Sequence, residues 1–504
     1  MMPALKLSLL AATVTLSASA FAASTVPPLN HHAELDRIVQ QVQAGNLRRY
    51  DTALVGFGTR NTVLQLDSKT RGIGAARDWL AGEFRKVSAG CGGCLEIVRP
   101  SQVFAGPRIP QQDGARVENV VAIQRGTSDP DRVIVLTAHI DSINSKVFHS
   151  HWKDNSGDAP GANDDASGVS ALLETARVLS HYKFPATLVY SADSGEEQGL
   201  YGGRIIAQYA VDHGWQVEVD LNNDMVGNSH GGNGAYDPHT IRLYSEDTKT
   251  NETLRQAAYR RSHGGSSDSP SRNVVRYMSA LAEQYLHDFH VRMVYMTDRW
   301  GRSGDEVPFL AQGFPAIRFA ESGEAYNRQH QVVRVEDGVH YGDVLKWVDF
   351  DYLANVARLD AITMASLAMA PAPVSELAIK GAVTYDTTLS WKPRDDAASY
   401  NAWWRETTAP QWQHRQKSDS DSTVVLKNVI IDDYFFGISA VSKDGWESPV
   451  EFPGFAGSFA RSPRLDDDGK PVTGRYPDLA GHERFDGRAV GEPSWAQDAA
   501  GGGQ

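Results

Sequence analysis

Two pattern changes along the 504 residues predict an α/β fold, with a mixed central sheet flanked by helices, followed by a small all-β sandwich. From about residue 29 to residue 371, short apolar runs rich in β-branched residues alternate with stretches of helical spacing. Buried strands covered by helices produce that alternation. At "MAPAPVSEL" the helical spacing stops, and short alternating runs take its place to about residue 460.

The elements follow in order. "MMPALKLSLLAATVTLSASAFAAST" carries Lys6, then an apolar stretch, then Ala20-Phe21-Ala22. Residues 1–22 read as a signal peptide, which predicts a secreted or periplasmic protein. "AARDWLAGEFRKVS" has helical spacing. The only two cysteines, Cys91 and Cys94, stand in "GCGGCLEI". In an exported chain they are expected to form a disulfide closing a tight loop. "NVVAIQRG" and "RVIVLTAHID" read as strands, "SGVSALLETARVLSHY" as a helix and "ATLVYSAD" as a strand. "EQGLYGGRIIAQYAVDHG" reads as one helix closed by Gly214. "VEVDLNND", "IRLYSE", "RMVYMTD" and "PAIRFAES" are further strands, and "VLKWVDFDYLANVARLDAITMASLAMA" is a long helix ending the unit, residues 23–371. In residues 372–460, "TTLSWKP", "SYNAWWRET", "STVVLKNV" and "YFFGISAV" alternate as sandwich strands, with Trp391 and Tyr434 as core anchors. The alternation Tyr434, Phe436, Ile438, Ala440 resembles a strand of a fibronectin type III domain, with Tyr434 as its tyrosine corner. Residues 461–504, rich in Gly, Pro, Asp and Arg, read as disordered.

Charge and hydropathy bound the partners. A formal net charge of −13 argues against nucleic acid and anionic membranes, which reward excess Lys and Arg. Beyond the signal peptide no run is long and apolar enough to span a bilayer, so no membrane insertion is expected.

The chemistry gathers at the carboxyl ends of strands, where open α/β sheets place their sites. "TAHIDS" ends a strand with His139 and Asp141, two apart and so on one side. "PGANDDASG" packs Asp164 and Asp165 into a constrained turn before a helix. "SADSGEEQGL" sets Glu196 beside Glu197, and "LNNDMVGN" ends a strand at Asp224. Carboxylates so clustered raise one another's pKa unless cations neutralise them. Mixed imidazole and carboxylate ligands suit zinc, and their number suits two ions sharing a bridging carboxylate.

"HID", "GANDDASG", "SGEEQGL", "NNDMVG" and a later His resemble, in order, the motifs of the co-catalytic dizinc aminopeptidase family. That family includes secreted bacterial aminopeptidases, glutamate carboxypeptidase-type enzymes and glutaminyl cyclases. The resemblance implies that His139 and Asp224 hold one zinc and that Glu197 and a downstream His hold the other. It implies Asp164 as the bridge, joined to Asp165 by a cis peptide, Asp141 as the partner of His139, and Glu196 as the general base. His330 and His340 both follow the last strand of the unit; His330 lies at the expected short distance. Gln331 stands where the family has Thr, the following Asp comes late, and Asp305-Glu306 replaces the usual Asp-His. The resemblance implies a metal-dependent exopeptidase acting on peptides or proteins, foremost an aminopeptidase. A carboxypeptidase, with Arg299 and Arg302 meeting the substrate carboxylate, or a cyclase is the alternative, and a non-catalytic binding protein comes last.

Overall fold

A computed structural model describes residues 26–150, 152, 156–463 and 470. The expected signal peptide, and the expected disordered tail beyond Pro463 apart from Lys470, lie outside the described residues.

The main sheet has eight strands, in the order Glu96–Val98, Val120–Gln124, Ala186–Asp193, Asp129–His139, Gln216–Asn223, Ala316–Glu321, Thr240–Ser245 and His290–Val294. Its four middle strands, from Ala186–Asp193 to Ala316–Glu321, are mutually parallel. Antiparallel pairings on both sides make the sheet mixed, as the sequence predicts. The Asp129–His139 strand shows why its apolar run is nearly continuous. Ile134, Leu136 and Ala138 face the core built with helices Gly72–Gly90, Ser167–Leu179 and Phe350–Met369. Val133 and Val135 face the opposite core, closed by helices Tyr201–Asp212 and Glu306–Ala311. A strand buried on both faces needs apolar residues at every position, not every second one.

Two expected helices are shorter than their patterns. The stretch from Glu196 forms a single turn, Glu196–Gly199, then breaks at Leu200, whose φ is 60°, before helix Tyr201–Asp212. The long helix starts at Phe350, because Asp349 caps it by accepting the Asp351 and Tyr352 amides at 3.2 and 3.1 Å. Helices Ala33–Gln41, Ala44–Gly56, Leu254–His263 and Pro270–Tyr285, and the hairpin Arg334–Glu336/Val339–Tyr341, are additions to the predicted set. Cys91 and Cys94 are disulfide-bonded just past helix Gly72–Gly90.

After the long helix come two three-stranded antiparallel sheets. One orders Ser375–Lys380, Thr387–Lys392 and Thr423–Leu426; the other orders His414–Lys417, Ser399–Glu406 and Tyr434–Val441. Leu389, Trp391, Tyr400, Leu426, Phe436 and Ile438 form the core between them. Tyr434 is half-buried and edge-on to Phe436, but its hydroxyl has no hydrogen-bond partner among the described residues, so the expected corner bond is not made. Trp403, Trp412 and Trp446 are buried and therefore belong to packing, not to an exposed aromatic face.

The small sheets are fastened to the main unit by buried polar contacts. Asp268 receives Arg276 at 3.1 Å and Arg405, from strand Ser399–Glu406, at 2.7 Å, and none of the three side chains is more than 1% exposed. Lys249 donates to the carbonyls of Ser458 and Ala460 at 2.8 and 3.0 Å. At the other end of the chain, His32 stacks on Trp446 with ring centroids 3.5 Å apart. Removing one partner of a buried ion pair leaves an uncompensated charge. Asp268→Ala therefore lowers unfolding stability by about 3–5 kcal/mol, measured as an earlier urea midpoint; a wild-type midpoint would show that this cluster does not hold the seam.

Candidate metal centre

The four parallel middle strands end on one side of the sheet, and each delivers a residue to the same place. Asp129–His139 ends in His139 itself. Ala186–Asp193 runs into the Glu196–Gly199 turn, which carries Glu196 and Glu197. Gln216–Asn223 is followed directly by Asp224, and Ala316–Glu321 leads to the segment bearing His330. Asp164 comes from the turn that enters helix Ser167–Leu179, and its peptide bond to Asp165 is cis.

The Asp164 carboxylate lies between the two histidines. Its Oδ1 is 3.0 Å from His139 Nε2, and its Oδ2 is 3.1 Å from His330 Nε2. On the first side, Asp224 Oδ1 is 3.9 Å from His139 Nε2. On the second, Glu197 Oε1 is 2.9 Å from His330 Nε2. The donor atoms of His139, Asp164 and Asp224 lie within 4.8 Å of one another, as do those of Asp164, Glu197 and His330, and those of His139, Glu196 and Glu197. His340 stays on the exposed hairpin strand Val339–Tyr341, so the downstream histidine of the cluster is His330.

Asp141 faces His139 through two groups. Its backbone carbonyl lies 3.1 Å from His139 Nδ1, and its carboxylate makes a longer contact with the same nitrogen at 3.7 Å. That carboxylate also accepts the Gly195 and Glu196 amides at 2.9 and 3.3 Å. Asp141 therefore orients the imidazole through its main chain and fixes the two-glutamate turn through its side chain. Asp165 ties the cluster further, accepting the amides of His139, Gly168 and Met225 at 3.2, 3.0 and 3.1 Å.

The electrostatics match this crowding. Burial pushes the carboxyls of Glu196 and Glu197 up, and neighbouring acids add to it, Asp224 for the first and Asp164 for the second. Burial alone would also raise Asp224, but the Arg318 guanidinium, 2.7 Å from its Oδ2, and His139 hold it well below the usual range. Burial would lower both imidazoles, but the facing carboxyl groups outweigh it and both are held up. The sequence reading missed Arg318, which sits inside the apolar run "PAIRFAES" with no local partner. It also missed Gln329, whose side-chain amide donates to Asp164 Oδ2 at 2.8 Å.

Two imidazoles and four carboxylates converging in one buried pocket are a hard, mixed N/O donor set that fits zinc. The two groupings that share Asp164 offer one carboxylate oxygen to each side. A cavity of about 190 Å³ opens on them, with Arg108, Arg299, Arg302 and Gln329 in its walls. Two larger clefts, of about 740 and 940 Å³, are not lined by His139, Asp164, Glu196, Glu197, Asp224 or His330.

The model of peptidase family M28 matches residues 119–333. A probable zinc metalloprotease of Pyrenophora tritici-repentis is 39% identical over 426 residues, covering 83% of this chain and 86% of that protein. A probable zinc metalloprotease of Leptosphaeria maculans is 39% identical over 424 residues, covering 83% of this chain and 96% of that protein. Among solved structures, the LapA aminopeptidase of Legionella pneumophila is similar with a TM-score of 0.48 and 18% identity, over 68% of this chain and 76% of that one. On the matched segment and the extent of identity to the fungal relatives, the chain belongs to peptidase family M28.

Proposed function

We propose that this chain is an exported, zinc-dependent exopeptidase that removes amino-terminal residues from peptides, with two zinc ions per chain. One observation carries the proposal: the two oxygens of Asp164 face His139 on one side and His330 on the other, with Glu196 beside them in the same pocket. His139 and Asp224 would hold one ion, Glu197 and His330 the other, and Asp164 both. Zinc bound there supplies Lewis-acid polarisation of a scissile carbonyl and acidifies water near neutral pH.

Glu196 is the base. Its carboxylate takes no hydrogen bond or ion pair among the described residues, although it lines the cavity. It accepts a proton from the attacking water and returns it to the leaving amine nitrogen. Glu197, one residue on, faces His330 instead, so the adjacent pair divides into a base and a ligand. The Asp141 bonds to the Gly195 and Glu196 amides keep that turn in register.

The cavity's small size supports action at a chain end: about 190 Å³ is below the 300–1,000 Å³ of ordinary ligand clefts. The guanidinium groups weigh against a carboxypeptidase. Arg302 is 2.5 Å from Glu324, and Arg299 lies 3.2 Å from Asp298 and 3.7 Å from the same Glu324. Both are already faced by carboxylates of the chain. The apolar, small-residue N-terminal segment and the Cys91–Cys94 disulfide support export.

Two measurements test the assignment. Glu196→Gln keeps its metal in elemental analysis but loses about 10²–10⁴-fold in kcat on chromogenic aminoacyl substrates; near-normal turnover would remove Glu196 as the base. Glu197→Ala loses at least one equivalent of zinc, and chelator abolishes wild-type activity. Chelator-resistant cleavage, or cleavage confined to carboxyl-terminal substrates, would overturn the proposal.

A further inference from the structure

We infer that Asp343 is a positioning residue for Asp164, the shared carboxylate of the proposed metal centre; the inference rests on that reading. The turn carrying Asp164 cannot satisfy its own amides. Gly161 is left-handed, and Asp164 (φ −113°, ψ 89°) and Asp165 (φ −132°, ψ 43°) are not helical. Buried amides left over in this way need partners from elsewhere.

Asp343 supplies them from 179 residues away. Its Oδ2 accepts the amide of Asp164 at 2.7 Å, and both of its oxygens accept the amide of Asn163, at 2.9 and 2.8 Å. Its own backbone carbonyl accepts the Ala162 amide at 3.4 Å. One buried residue thus receives three consecutive amides leading into the shared ligand.

The rest of the turn is held with equal care. Arg60, fully buried, donates to Gly161 O at 3.0 Å, to Pro160 O, and to Ile140 O at 2.7 Å. It therefore joins the turn to the strand end that carries His139. Asn163 donates to Glu321 at 2.8 Å and accepts the Gly227 amide at 2.8 Å. With these contacts in place, the direction of the Asp164 side chain depends on where Asp343 holds its amide.

Neither Arg60 nor Asp343 lies in residues 119–333, the segment matched by the family model. Asp343 also stands apart from His330 in sequence, because the hairpin Arg334–Glu336/Val339–Tyr341 intervenes. The Gly342 amide donates to Asn327 O at 3.2 Å and closes the hairpin's base. His330 and Asp343 are thus brought to opposite feet of one hairpin, both touching Asp164.

Partners of metal-ligating side chains typically change metal affinity by about 10–100-fold when altered. The test is a competitive chelator titration of zinc on the full-length chain, with visible absorption of the cobalt-substituted protein as a second readout. Asp343→Asn turns an amide NH₂ toward donors that need an acceptor. Asp343→Glu keeps the charge but displaces both oxygens. Each is expected to weaken at least one zinc by about 10–100-fold and to shift the cobalt bands. Leu426→Ala, in the core of the small sheets, should lower the melting temperature and leave zinc affinity and cobalt bands unchanged. Wild-type zinc affinity and cobalt bands in either folded Asp343 variant would overturn the inference alone. A wild-type chain that binds no zinc would overturn both the inference and the function on which it rests.

Discussion

Four carboxylates gathered in one buried pocket cannot all carry charge unless positive charge faces them. Asp164, Glu196, Glu197 and Asp224 are in that position, and the surrounding architecture answers it. His139 and His330 meet three of them, and Arg318 meets Asp224 from beneath. Behind these, neutral amides do the same work with partial charges: Gly195 and Glu196 turn their N–H groups to Asp141, and His139, Gly168 and Met225 turn theirs to Asp165. The fold keeps Asp164, Glu197 and Asp224 together because each is matched by an imidazole or a guanidinium, and Glu196 alone of the four has no such partner among the described residues.

The sheet makes such matching possible. Parallel strands end at the same level, and burial on both faces leaves their carboxyl ends as the places where polar groups can collect. Loops then need to travel only a few residues to bring a ligand to the centre, as Asp224 does directly after Asn223. The small sheets lie away from this end. Their attachment through Asp268, Arg276 and Arg405 is as buried as the core itself, so they act as a wall of the molecule.

The strand ends were legible in the sequence because an apolar run that stops at His, Asp or Glu is a local signal. His139, Glu197 and Asp224 could be read that way, the density of "GANDDASG" marked Asp164, and His330 was reached only through the family resemblance. What escaped was held by contacts with no local trace. Arg318 looks like an interruption of a strand until Asp224 is placed beside it. Asp343 is separated from His330 by a hairpin whose short strands carry too little periodicity to be seen. The second task of Asp141, bonding the Gly195 and Glu196 amides, was not legible, because the strand ends at His139 and the chain beyond it turns toward another loop. The break at Leu200 was invisible because a leucine gives no warning of a left-handed backbone.

The spread of the centre along the chain also governs when it can exist. Its parts come from His139 to Asp343, on strands paired through parallel crossovers, and such non-local contacts form late in folding. During synthesis, a chain that has emerged only to the end of strand Ala316–Glu321 already contains Asp164, Glu196, Glu197 and Asp224 but lacks His330 and Asp343. The unfinished chain therefore carries an incomplete donor cluster: the cluster can close only after the last strand of the sheet has been made.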